Sequence, residues 1–500
     1  MWFEHECNTP TDGGPERGGS GMSEIVRARR PRSSRDIVDR SLLAASAMVT
    51  ETATAPAGDF ERWWEEMRSD TELAVERVPF ADLRNWEFDA ETGNLGHDSG
   101  RFFTVQGLQV TTEQPPVPHW TQPIINQSEV GILGLVVRDF DGVLHCLVQA
   151  KVEPGNINVV QVSPTVQATQ SNYTRVHGGL PVPYLEYFTA PDKARVLVDA
   201  LQSEQGSWFY RKRNRNMVVE VTETVPVRHG YRWITLGLLR RIAAVDNLMN
   251  MDLRTVFACI PFDRSAEVLE GRVEDDFRLA VARSLSPRTG ALHTRIEVMR
   301  WFNDIKIRNS IAAQLLPLRE VRGWRRTEGD IAHESGKYFS VIAAAVRSSR
   351  REVREWTQPF LAPVGIGVIA FLVCGFAGGL HVLVHARIEP GYLDIVELAP
   401  TVQCTPENYA DWPDRYRPPF LDAVLEAEPG QIRYDAIQSE EGGRFFQAQN
   451  RYLIIEVDQD LDVPPDYLWM TVGQLTGLLE HGHYLNVQAR SLIACLNSVW

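Results

Sequence analysis

Residues 149–155 read Gln-Ala-Lys-Val-Glu-Pro-Gly, and 236 positions further along (149 to 385) residues 385–391 read His-Ala-Arg-Ile-Glu-Pro-Gly. The same offset relates other short stretches: Trp-Thr-Gln-Pro at 120 and 356, Pro-Thr-Val-Gln at 164 and 400, Gln-Ser-Glu at 202 and 438, and Asn-Arg at 214 and 450. This period is far longer than the roughly 20–50 residues of stacked repeat arrays. The sequence therefore predicts two whole domains that descend from one duplicated domain.

The composition limits the class of protein. A chain of 500 residues, 44% hydrophobic and 23% charged, is typical of a soluble globular protein with two or three domains. Its net charge of −14 argues against a general nucleic-acid or membrane-surface role, because such binding needs a basic field, although a local cluster of Arg and Lys could still bind a small anion. The six cysteines include no C-x-x-C pair, and we find neither a membrane-spanning apolar run nor a secretory signal. We expect a cytoplasmic protein without a zinc site or a disulfide framework.

Composition and spacing divide the chain into three parts. Residues 1–35, rich in Gly, Pro and Arg, are predicted to be a disordered tail. Residues 36–262 form the first predicted repeat, and residues 263–500 contain linking helices and the second repeat.

Apolar spacing predicts the secondary structure of each repeat. In the first repeat it predicts helices over 36–68, 71–77 and 235–245, and strands over 103–110, 131–137, 144–150 and 158–162. In the second it predicts helices over 264–305 and 471–479 around a β-rich body over 338–457. Asp141-Gly142 between two apolar runs predicts a hairpin. Strands broken by helices in both copies predict an α+β fold of two tandem domains, each a mixed β-sheet flanked by helices.

The repeated Lys-Val-Glu-Pro-Gly stretch carries the first candidate chemistry. A strand brings Lys151 and Glu153 to one face, two residues apart, just before a Pro-Gly turn and Asn156. An ordinary surface ion pair would give the same pattern. The second copy keeps the pair as Arg387 and Glu389, which favours a functional role because a solvated pair has no reason to survive divergence of the copies.

Two further stretches are rich in polar side chains. Residues 171–179 read Ser-Asn-Tyr-Thr-Arg-Val-His-Gly-Gly, which fits either a ligand-binding loop or a loop with local hydrogen bonds. Residues 211–215 hold four cations within five positions and run into a predicted strand. Such a cluster is usually a solvated face, but Arg and Lys anchored on strands could also hold a diphosphate.

Several familiar motifs are missing. We find no G-x-G-x-x-G after a strand, no G-x-x-x-x-G-K-[ST] and no G-x-S-x-G. Ligand-type residues do not gather in the number that a metal site needs. The sequence therefore predicts neither a cofactor nor a metal.

Together these stretches resemble the NDP-hexose 2,3-dehydratase family of deoxysugar biosynthesis. The resemblance spans roughly residues 60–500 and rests on six stretches with their second-copy forms: Trp120–Pro123, Gln149–Asn156, Ser163–Gln167, Ser171–Gly179, Gln202–Gly206 and Lys212–Asn216. It implies loss of water across C2 and C3 of dTDP-4-keto-6-deoxy-D-glucose, and a 3,4-diketo-2,6-dideoxy product that a partner ketoreductase takes up on the way to antibiotic-type glycosides. It also implies two Nudix-like domains, a homodimer and a nucleotide-sugar pocket in each domain. The Nudix hydrolase box that holds Mg²⁺ is absent, so the fold could bind a nucleoside diphosphate sugar without cleaving it.

This reaction needs a base for the C3 hydrogen, donors for the enolate oxygen and an acid for the departing hydroxyl. We predict Glu153 or Glu204 as the base, Lys151 with Asn156 as the donors, and Tyr173 or His177 as the acid. The predicted substrate-binding residues are cations for the diphosphate, flanking polar groups, and a tryptophan that is either a thymine platform or a core aromatic: Arg175, Lys212, Arg213, Arg215, Ser203, Asn214 and Trp120.

The first copy keeps more titratable and cationic groups, so we expect catalysis there. The second pocket is predicted to bind the nucleotide sugar and to react slowly or not at all. Its candidate residues are Trp356, His385, Arg387, Glu389, Tyr392, Tyr409, Ser439, Glu440, Glu441, Arg444, Asn450 and Arg451. Two other functions stay open: a catalytically silent Nudix-like protein that binds sugar nucleotides, and a metal-dependent pyrophosphohydrolase, which the missing box disfavours.

Overall fold

The structure is a computed structural model that describes residues 40–113, 116–170, 181–263, 265–269, 275–286, 289–348 and 353–500. Residues 39–500 form one compact unit. The division into 36–262 and 263–500 therefore stays a prediction about two repeats that arose by duplication. The predicted tail at 1–35 lies outside the described residues, and so does the loop that carries Tyr173, Arg175 and His177.

The first repeat alternates short helices with strands. Its helices are α1 (Arg40–Ser46), α2 (Asp59–Ser69), α3 (Glu186–Thr189), α4 (Leu236–Ile242) and α5 (Met251–Ala258). Its strands are β1 (Leu73–Val78), β2 (Trp86–Phe88), β3 (Leu95–His97), β4 (Thr104–Thr112), β5 (His119–Asn126), β6 (Gly131–Phe140), β7 (Val143–Val152), β8 (Val160–Ser163), β9 (Val166–Ala168), β10 (Arg195–Ser203), β11 (Arg213–Glu220) and β12 (Tyr231–Thr235).

The second repeat follows the same order after a helical link. Its helices are α6 (Ser265–Leu269), α7 (Asp276–Ser284), α8 (Arg295–Arg308), α9 (Leu421–Leu425), α10 (Val472–Leu478) and α11 (Val487–Val499). Its strands are β13 (Ile311–Leu316), β14 (Trp324–Arg326), β15 (Asp330–His333), β16 (Phe339–Ser348), β17 (Glu355–Pro363), β18 (Gly367–Phe376), β19 (Gly379–Ile388), β20 (Val396–Ala399), β21 (Val402–Cys404), β22 (Ile432–Ser439), β23 (Gln449–Glu456) and β24 (Tyr467–Thr471).

Within the described residues the strands form four sheets, a large and a small one for each repeat. The large sheet of the first repeat runs β10-β11-β6-β7-β12, with β8 beside β7 and β9 beside β6, and the second repeat reproduces it with β22-β23-β18-β19. β11 pairs with β6 in parallel, as β23 does with β18, while the other pairs are antiparallel. The predicted α+β fold, built twice around a mixed sheet, is confirmed.

The two repeats exchange their first strands. β1 of the first repeat pairs with β16 of the second from Leu73 opposite Ser348, and β13 of the second pairs with β4 of the first from Ile311 opposite Thr112. The helix predicted over 71–77 is therefore wrong. Its partner strand lies some 270 positions away in the sequence, and local spacing does not register such tertiary pairing.

Local signals were reliable where a turn or a cap decides the conformation. Asp141 and Gly142 both take left-handed φ, at 54° and 84°, and the predicted hairpin joins β6 to β7. The helix predicted over 235–245 is α4, whose N-cap hydroxyl of Thr235 accepts a hydrogen bond from the backbone N–H of Leu238. Among the described helices none combines the length and the apolar character that crossing a bilayer would need.

Helices α5 and α11 pack against each other where the repeats meet. Each carries a fully buried arginine at the same position of the repeat, Arg254 and Arg490. Arg254 donates to the carbonyl oxygen of Ser439 at 2.6 Å, and Arg490 donates to that of Ser203 at 2.5 Å. The repeated Gln-Ser-Glu stretch is thus held from the opposite repeat.

The repeated Glu-Pro-Gly turn also makes its main contact across the repeats. The N–H of Gly155 donates to the carbonyl oxygen of Gly442 at 2.7 Å, and the N–H of Gly391 donates to that of Gly206 at 2.7 Å. A Cβ atom on Gly155 would lie 1.8 Å from the carbonyl oxygen of Phe445, so only glycine allows this approach. The turn after Glu153 is therefore fixed by the other repeat.

Candidate active site

A cavity of about 620 Å³ lies at the end of β7 and the start of β11, a size that is ordinary for a small-molecule site. We call it the first site. Its charged lining comes from four acidic and three basic side chains: Glu153, Glu204, Asp252, Glu441, Lys151, Lys212 and Arg444.

Part of the first site belongs to the second repeat, which supplies Gln358, Glu441 and Arg444. The indole N–H of Trp356 donates to Gln358 Oε1 at 2.8 Å, and Gln358 Nε2 donates to the carbonyl oxygen of Gly443 at 2.8 Å. The sequence assigned Glu441, Arg444 and Trp356 to the second pocket. That assignment is wrong for Glu441 and Arg444, because the loop that carries them crosses to the other repeat.

Lys151 and Glu153 both line the cavity at the end of β7. Lys151 Nζ donates to the carbonyl oxygen of Gln167 at 3.2 Å, and Gln167 Nε2 donates to Glu153 Oε1 at 2.8 Å. Gln167 is itself held, since Asn250 Nδ2 donates to its Oε1 at 3.0 Å. A cation and a carboxylate are thus fixed side by side.

Glu204 and Lys212 also line the cavity and are both buried. Asn214 Nδ2 donates to Glu204 Oε1 at 2.7 Å, whereas Glu204 Oε2 is buried without a hydrogen-bonding partner in the described structure. Burial raises the pKa of Glu204 above its ordinary value. The ammonium group of Lys212 donates to the carbonyl oxygen of Glu129, and burial lowers its pKa to about 8.

Glu441 and Asp252 complete the acidic lining. Burial raises the pKa of Glu441 to about 7, with Arg444 acting against this rise. Burial also raises the pKa of Asp252 well above the ordinary range, and the nearby charges of Glu204, Glu153 and Glu441 add to the effect. Carboxyl groups that hold protons near neutral pH, beside fixed cations, suit proton transfer on an anionic substrate.

Neither Asp252 nor the crossing of Glu441 was predicted. A signal was present, however, because the 236-residue offset pairs Asp252 with Gln488 and Glu441 with Gln205. A charge found in one copy and absent from the other at a matched position marks the residues that differentiate the two sites.

The arginines of the predicted diphosphate cluster are placed differently from Lys212. Lys212, the residue just before β11, and Asn214 within it both line the cavity, as alternation of an extended chain predicts, and neither Arg213 nor Arg215 is among the lining residues. Arg215 Nε instead donates to Asp199 Oδ1 at 2.7 Å. The same pair returns in the second repeat, where Arg451 Nε donates to Asp435 Oδ1 at 2.8 Å. A binding role for Arg213 and Arg215 in the first site is therefore not supported by their placement.

Three other predicted residues lie away from the cavity lining. Asn156 packs against Gly442 of the second repeat, and Ser203 Oγ donates to Glu397 Oε2 at 2.5 Å in the contact between repeats. Trp120 donates its indole N–H to Gln122 Oε1 at 2.9 Å and packs on the apolar face of β4 and β5. Repetition of Ser203 as Ser439 therefore accompanies the joining of the repeats.

The corresponding region of the second repeat, which we call the second site, surrounds Glu389 and Glu440. Glu389 Oε1 accepts from Arg387 Nε at 2.8 Å and from Gln403 Nε2 at 3.0 Å. Glu440 Oε1 accepts from Asn450 Nδ2 at 2.6 Å and from the Tyr452 hydroxyl at 2.8 Å, and its Oε2 accepts from Gln205 Nε2 at 2.9 Å.

The remaining candidates of the second pocket have mixed positions. His385 Nε2 lies 3.1 Å from Asp466 Oδ2, and its ring stacks on Tyr467 with centroids 4.4 Å apart. Burial raises the pKa of Tyr409, which lies in the field of Arg387. Tyr392 and Ser439 belong to the contact between repeats: the ring of Tyr392 packs against Gly206, and Ser439 Oγ donates to Asn247 Oδ1 at 2.6 Å.

One group of potential metal ligands lies at the rim of the first site, within the described part of the chain. Ligand atoms of Glu66, Asp70 and His229 all lie within 4.8 Å of one another, and His229 lines the cavity. All three side chains are exposed, and exposed acidic groups often gather without an ion.

Comparison with known proteins identifies the class. A sequence model of the NDP-hexose 2,3-dehydratase family matches the chain twice, over residues 57–260 and 295–496. The chain therefore belongs to this family, as the resemblance predicted, and it is an enzyme, a carbon–oxygen lyase of the sugar-nucleotide 2,3-dehydratase type.

Individual relatives cover nearly the whole chain. A protein of Saccharopolyspora spinosa is 53% identical over 94% of this chain and 96% of its own length. Proteins of Amycolatopsis orientalis and Streptomyces violaceoruber are each 48% identical, over 95% and 90% of this chain and 96% and 98% of their own lengths. All three are named dTDP-4-dehydro-6-deoxy-alpha-D-glucopyranose 2,3-dehydratase.

Proposed function

We propose that this enzyme removes water across C2 and C3 of dTDP-4-keto-6-deoxy-D-glucose and gives a dTDP-3,4-diketo-2,6-dideoxyhexose. The names of the three relatives support this substrate over a catalytically silent binding function. The observation that carries the proposal is the first site, where Lys151 and Glu153 are fixed side by side in a cavity that also holds Lys212 and Arg444. Lys151 could bind the ketone oxygen of the substrate and Glu153 could accept the proton of the C–H bond next to it. Lys212 and Arg444 could bind the diphosphate.

The C4 ketone acidifies the hydrogen on C3, so a base can remove it and the C2 hydroxyl can leave. We assign the base to Glu153, whose carboxylate is oriented by Gln167. Lys151, which donates to the backbone carbonyl oxygen of the same Gln167, stabilises the negative charge on the C4 oxygen. Glu204 remains the alternative base, because one of its oxygens is buried without a hydrogen-bonding partner in the described structure.

The diphosphate needs cations that the cavity already holds. Lys212 and Arg444 line the first site from different repeats. The guanidinium of Arg444 lies 4.7 Å from the ring centroid of Phe103, which orients its planar fork. We assign these two cations to the diphosphate. Arg175 stays a predicted third cation, on a loop outside the described residues.

We further propose a setting that rests on the family resemblance. It comprises deoxysugar biosynthesis for glycosylated natural products such as antibiotics, a cytoplasmic location, a homodimer, and transfer of the product to a downstream 3-ketoreductase. The Nudix-like origin of the repeats and a reaction without cofactor or metal are part of the same proposal. Binding of the nucleotide sugar in the second site also stays a prediction.

One assay tests the proposed function against its rivals. The enzyme is incubated with dTDP-4-keto-6-deoxy-D-glucose, with and without EDTA, and the products are followed by mass. We expect the product to be lighter than the substrate by the mass of one water, with or without EDTA. Release of a nucleoside monophosphate would indicate a pyrophosphohydrolase, and unchanged substrate would indicate a silent binding protein.

A further inference from the structure

The first site contains a buried carboxyl group to which the steps above give no role. Asp252 is the second residue of α5, is 4% exposed, and lines the cavity. A buried carboxyl group that lines a ligand cavity is available to a substrate.

The reaction proposed above still lacks an acid. Hydroxide is a poor leaving group, so the oxygen on C2 must receive a proton as the C2–O bond breaks. Tyr173 and His177, which the sequence suggested for this role, lie outside the described residues. In the described part of the first site, the acid must come from a side chain that keeps its proton at neutral pH.

The surroundings of Asp252 favour its protonated form. Burial and the charges of Glu204, Glu153 and Glu441 raise the pKa of Asp252, while Lys151 acts in the opposite direction. After the proton is given away, the resulting carboxylate would lie in the first turn of α5, where the helix dipole stabilises a negative charge. Both the charged and the neutral form are thus accommodated.

The second repeat lacks this group. The N-cap asparagine is shared, Asn250 and Asn486, but the position of Asp252 is taken by Gln488. A glutamine amide fills similar space and cannot serve as an acid in this range. The difference follows the distribution of the other charged groups, which are more numerous in the first site.

We propose that Asp252 is a catalytic residue whose carboxyl group donates the proton to the C2 hydroxyl as that group leaves. The inference rests on the proposed dehydration. The base takes the proton from C3, the released electron pair forms the C2–C3 double bond, and the C2–O bond breaks with departure of water. When the enol tautomerises, the C3 hydroxyl returns a proton to Asp252 and the base delivers its proton to C2, so both groups are restored.

The test separates the acid step from the base step by changing the leaving group. Asp252→Asn is compared with wild type on dTDP-4-keto-6-deoxy-D-glucose and on its 2-deoxy-2-fluoro analogue, from which fluoride leaves without a proton. We expect loss of water to slow by about 10² to 10⁴, while fluoride release stays within about threefold of wild type. In D₂O the variant should still exchange the C3 hydrogen for deuterium, because the base is intact.

Gln488→Asn is the matched control in the second repeat and should leave both eliminations unchanged. If Asp252→Asn slows fluoride release as much as water loss, or slows neither, the assignment is overturned and the acid role returns to Tyr173 or His177. Should the asparagine variant not fold, Asp252→Gln, which copies the second repeat, is measured in its place. A wild-type enzyme that shows neither water loss nor C3 exchange would instead overturn the proposed function.

Discussion

The first and second sites share a scaffold and differ in how their carboxylates are satisfied. Glu440 is held through both oxygens by Asn450, Tyr452 and Gln205, whereas Glu204 is bonded through one oxygen only in the described structure. A fully bonded carboxylate stabilises a fold, while an incompletely bonded one costs free energy that a functional site can use. The same repeated stretch thus has a fully bonded carboxylate in the second copy and an incompletely bonded one in the first, which supports the proposal that catalysis takes place in the first site.

A few exchanges at matched positions produce this difference. In the second site, Gln205 donates a hydrogen bond to Glu440. The matched residues in the first site are Glu441, in place of Gln205, and Glu204, in place of Glu440, so two carboxyl groups stand there. The other exchanges are Asp252 for Gln488, Lys212 for Ala448 and Arg444 for Trp208. In all four, the residue that lines the first site is titratable or cationic, and the residue at the matched position is neutral.

The largest effect is expected from removing the charge on the proposed base. Glu153→Gln should lower turnover by at least about 10³, because the amide retains the shape but cannot accept the C3 proton. The matched change, Glu389→Gln, should leave turnover within about threefold while lowering thermal stability, since Arg387 loses its partner. Steady-state kinetics of both variants decide the case. Loss of activity only in Glu389→Gln would reverse the assignment of the two sites.

A smaller loss of activity is expected when Glu441 of the first site is replaced by glutamine, the neutral residue at the matched position, Gln205. Glu441→Gln removes a charge that raises the pKa of Asp252, so kcat/KM should fall by about 10- to 100-fold. Because the pKa of Asp252 then falls, the decline of activity with rising pH should begin at a lower pH. The pH–rate profile measures this shift, and an unmoved alkaline limb would contradict the coupling of the two groups.

The reverse exchange is its control. Gln205→Glu places a second carboxylate against Glu440, where the 2.9 Å hydrogen bond now stabilises the contact. We expect lower stability in urea denaturation, with turnover within about threefold of wild type. A loss of turnover equal to that of Glu441→Gln would mean that the two sites are not functionally distinct.

Lys212→Ala copies the neutral residue of the second repeat, Ala448, and should act mainly on binding. We expect KM to rise by about tenfold, because one charge-assisted hydrogen bond to the diphosphate is lost. Burial sets the pKa of Lys212 at about 8, so in the wild type the cation is present below this pH and lost above it. The KM of the wild type should therefore rise as pH increases through 8, and the variant should not show this rise. Arg215→Ala, on the opposite face of β11, should leave KM within about twofold.

The smallest effect on turnover is expected at the contact between the repeats. Burial raises the pKa of Glu397 from 4.5 to about 8, and the matched residue of the first repeat is Gln161. Since the folded pKa is higher than the unfolded one, this group contributes stability below pH 4.5 that is lost as the pH rises to about 8. Glu397→Gln should thus increase the free energy of unfolding at pH 8 by roughly 1–3 kcal/mol. Urea denaturation at pH 5 and pH 8 measures this difference. An equal increase in the free energy of unfolding at both pH values would show that Glu397 does not lose a proton between them.

Much of the architecture could be predicted from one sequence. The duplication, the α+β class and the Asp141-Gly142 hairpin follow from spacing and from turn chemistry, which are local or repeated signals. The strand at 73–78 could not be predicted, because its partner is β16 of the other repeat. For the same reason Arg444 was assigned to the wrong site, since no local pattern shows that a loop crosses between domains.

For the site residues, strand alternation would have corrected part of the prediction. Lys212 directly precedes β11, and Arg215 lies three positions further along the extended chain, so the two side chains point to opposite faces, as the Arg215 pair with Asp199 shows. Ser203, which recurs as Ser439, makes a contact between the repeats, and so does Asn156, whose matched residue in the second copy is Tyr392. Repetition identifies residues that matter without saying whether they bind a ligand or a neighbouring domain.

The exchange of β1 and β13 has an evolutionary consequence. A single repeat folded by itself would lack a strand for its small sheet and would offer its own first strand to no partner. The strand exchange is therefore consistent with an ancestral homodimer of single repeats in which each chain gave its first strand to the small sheet of the other. Gene fusion would then have joined the two chains of that dimer covalently. In the fused chain the second half supplies Glu441 and Arg444 to the first site, so the proposed reaction depends on residues of both halves.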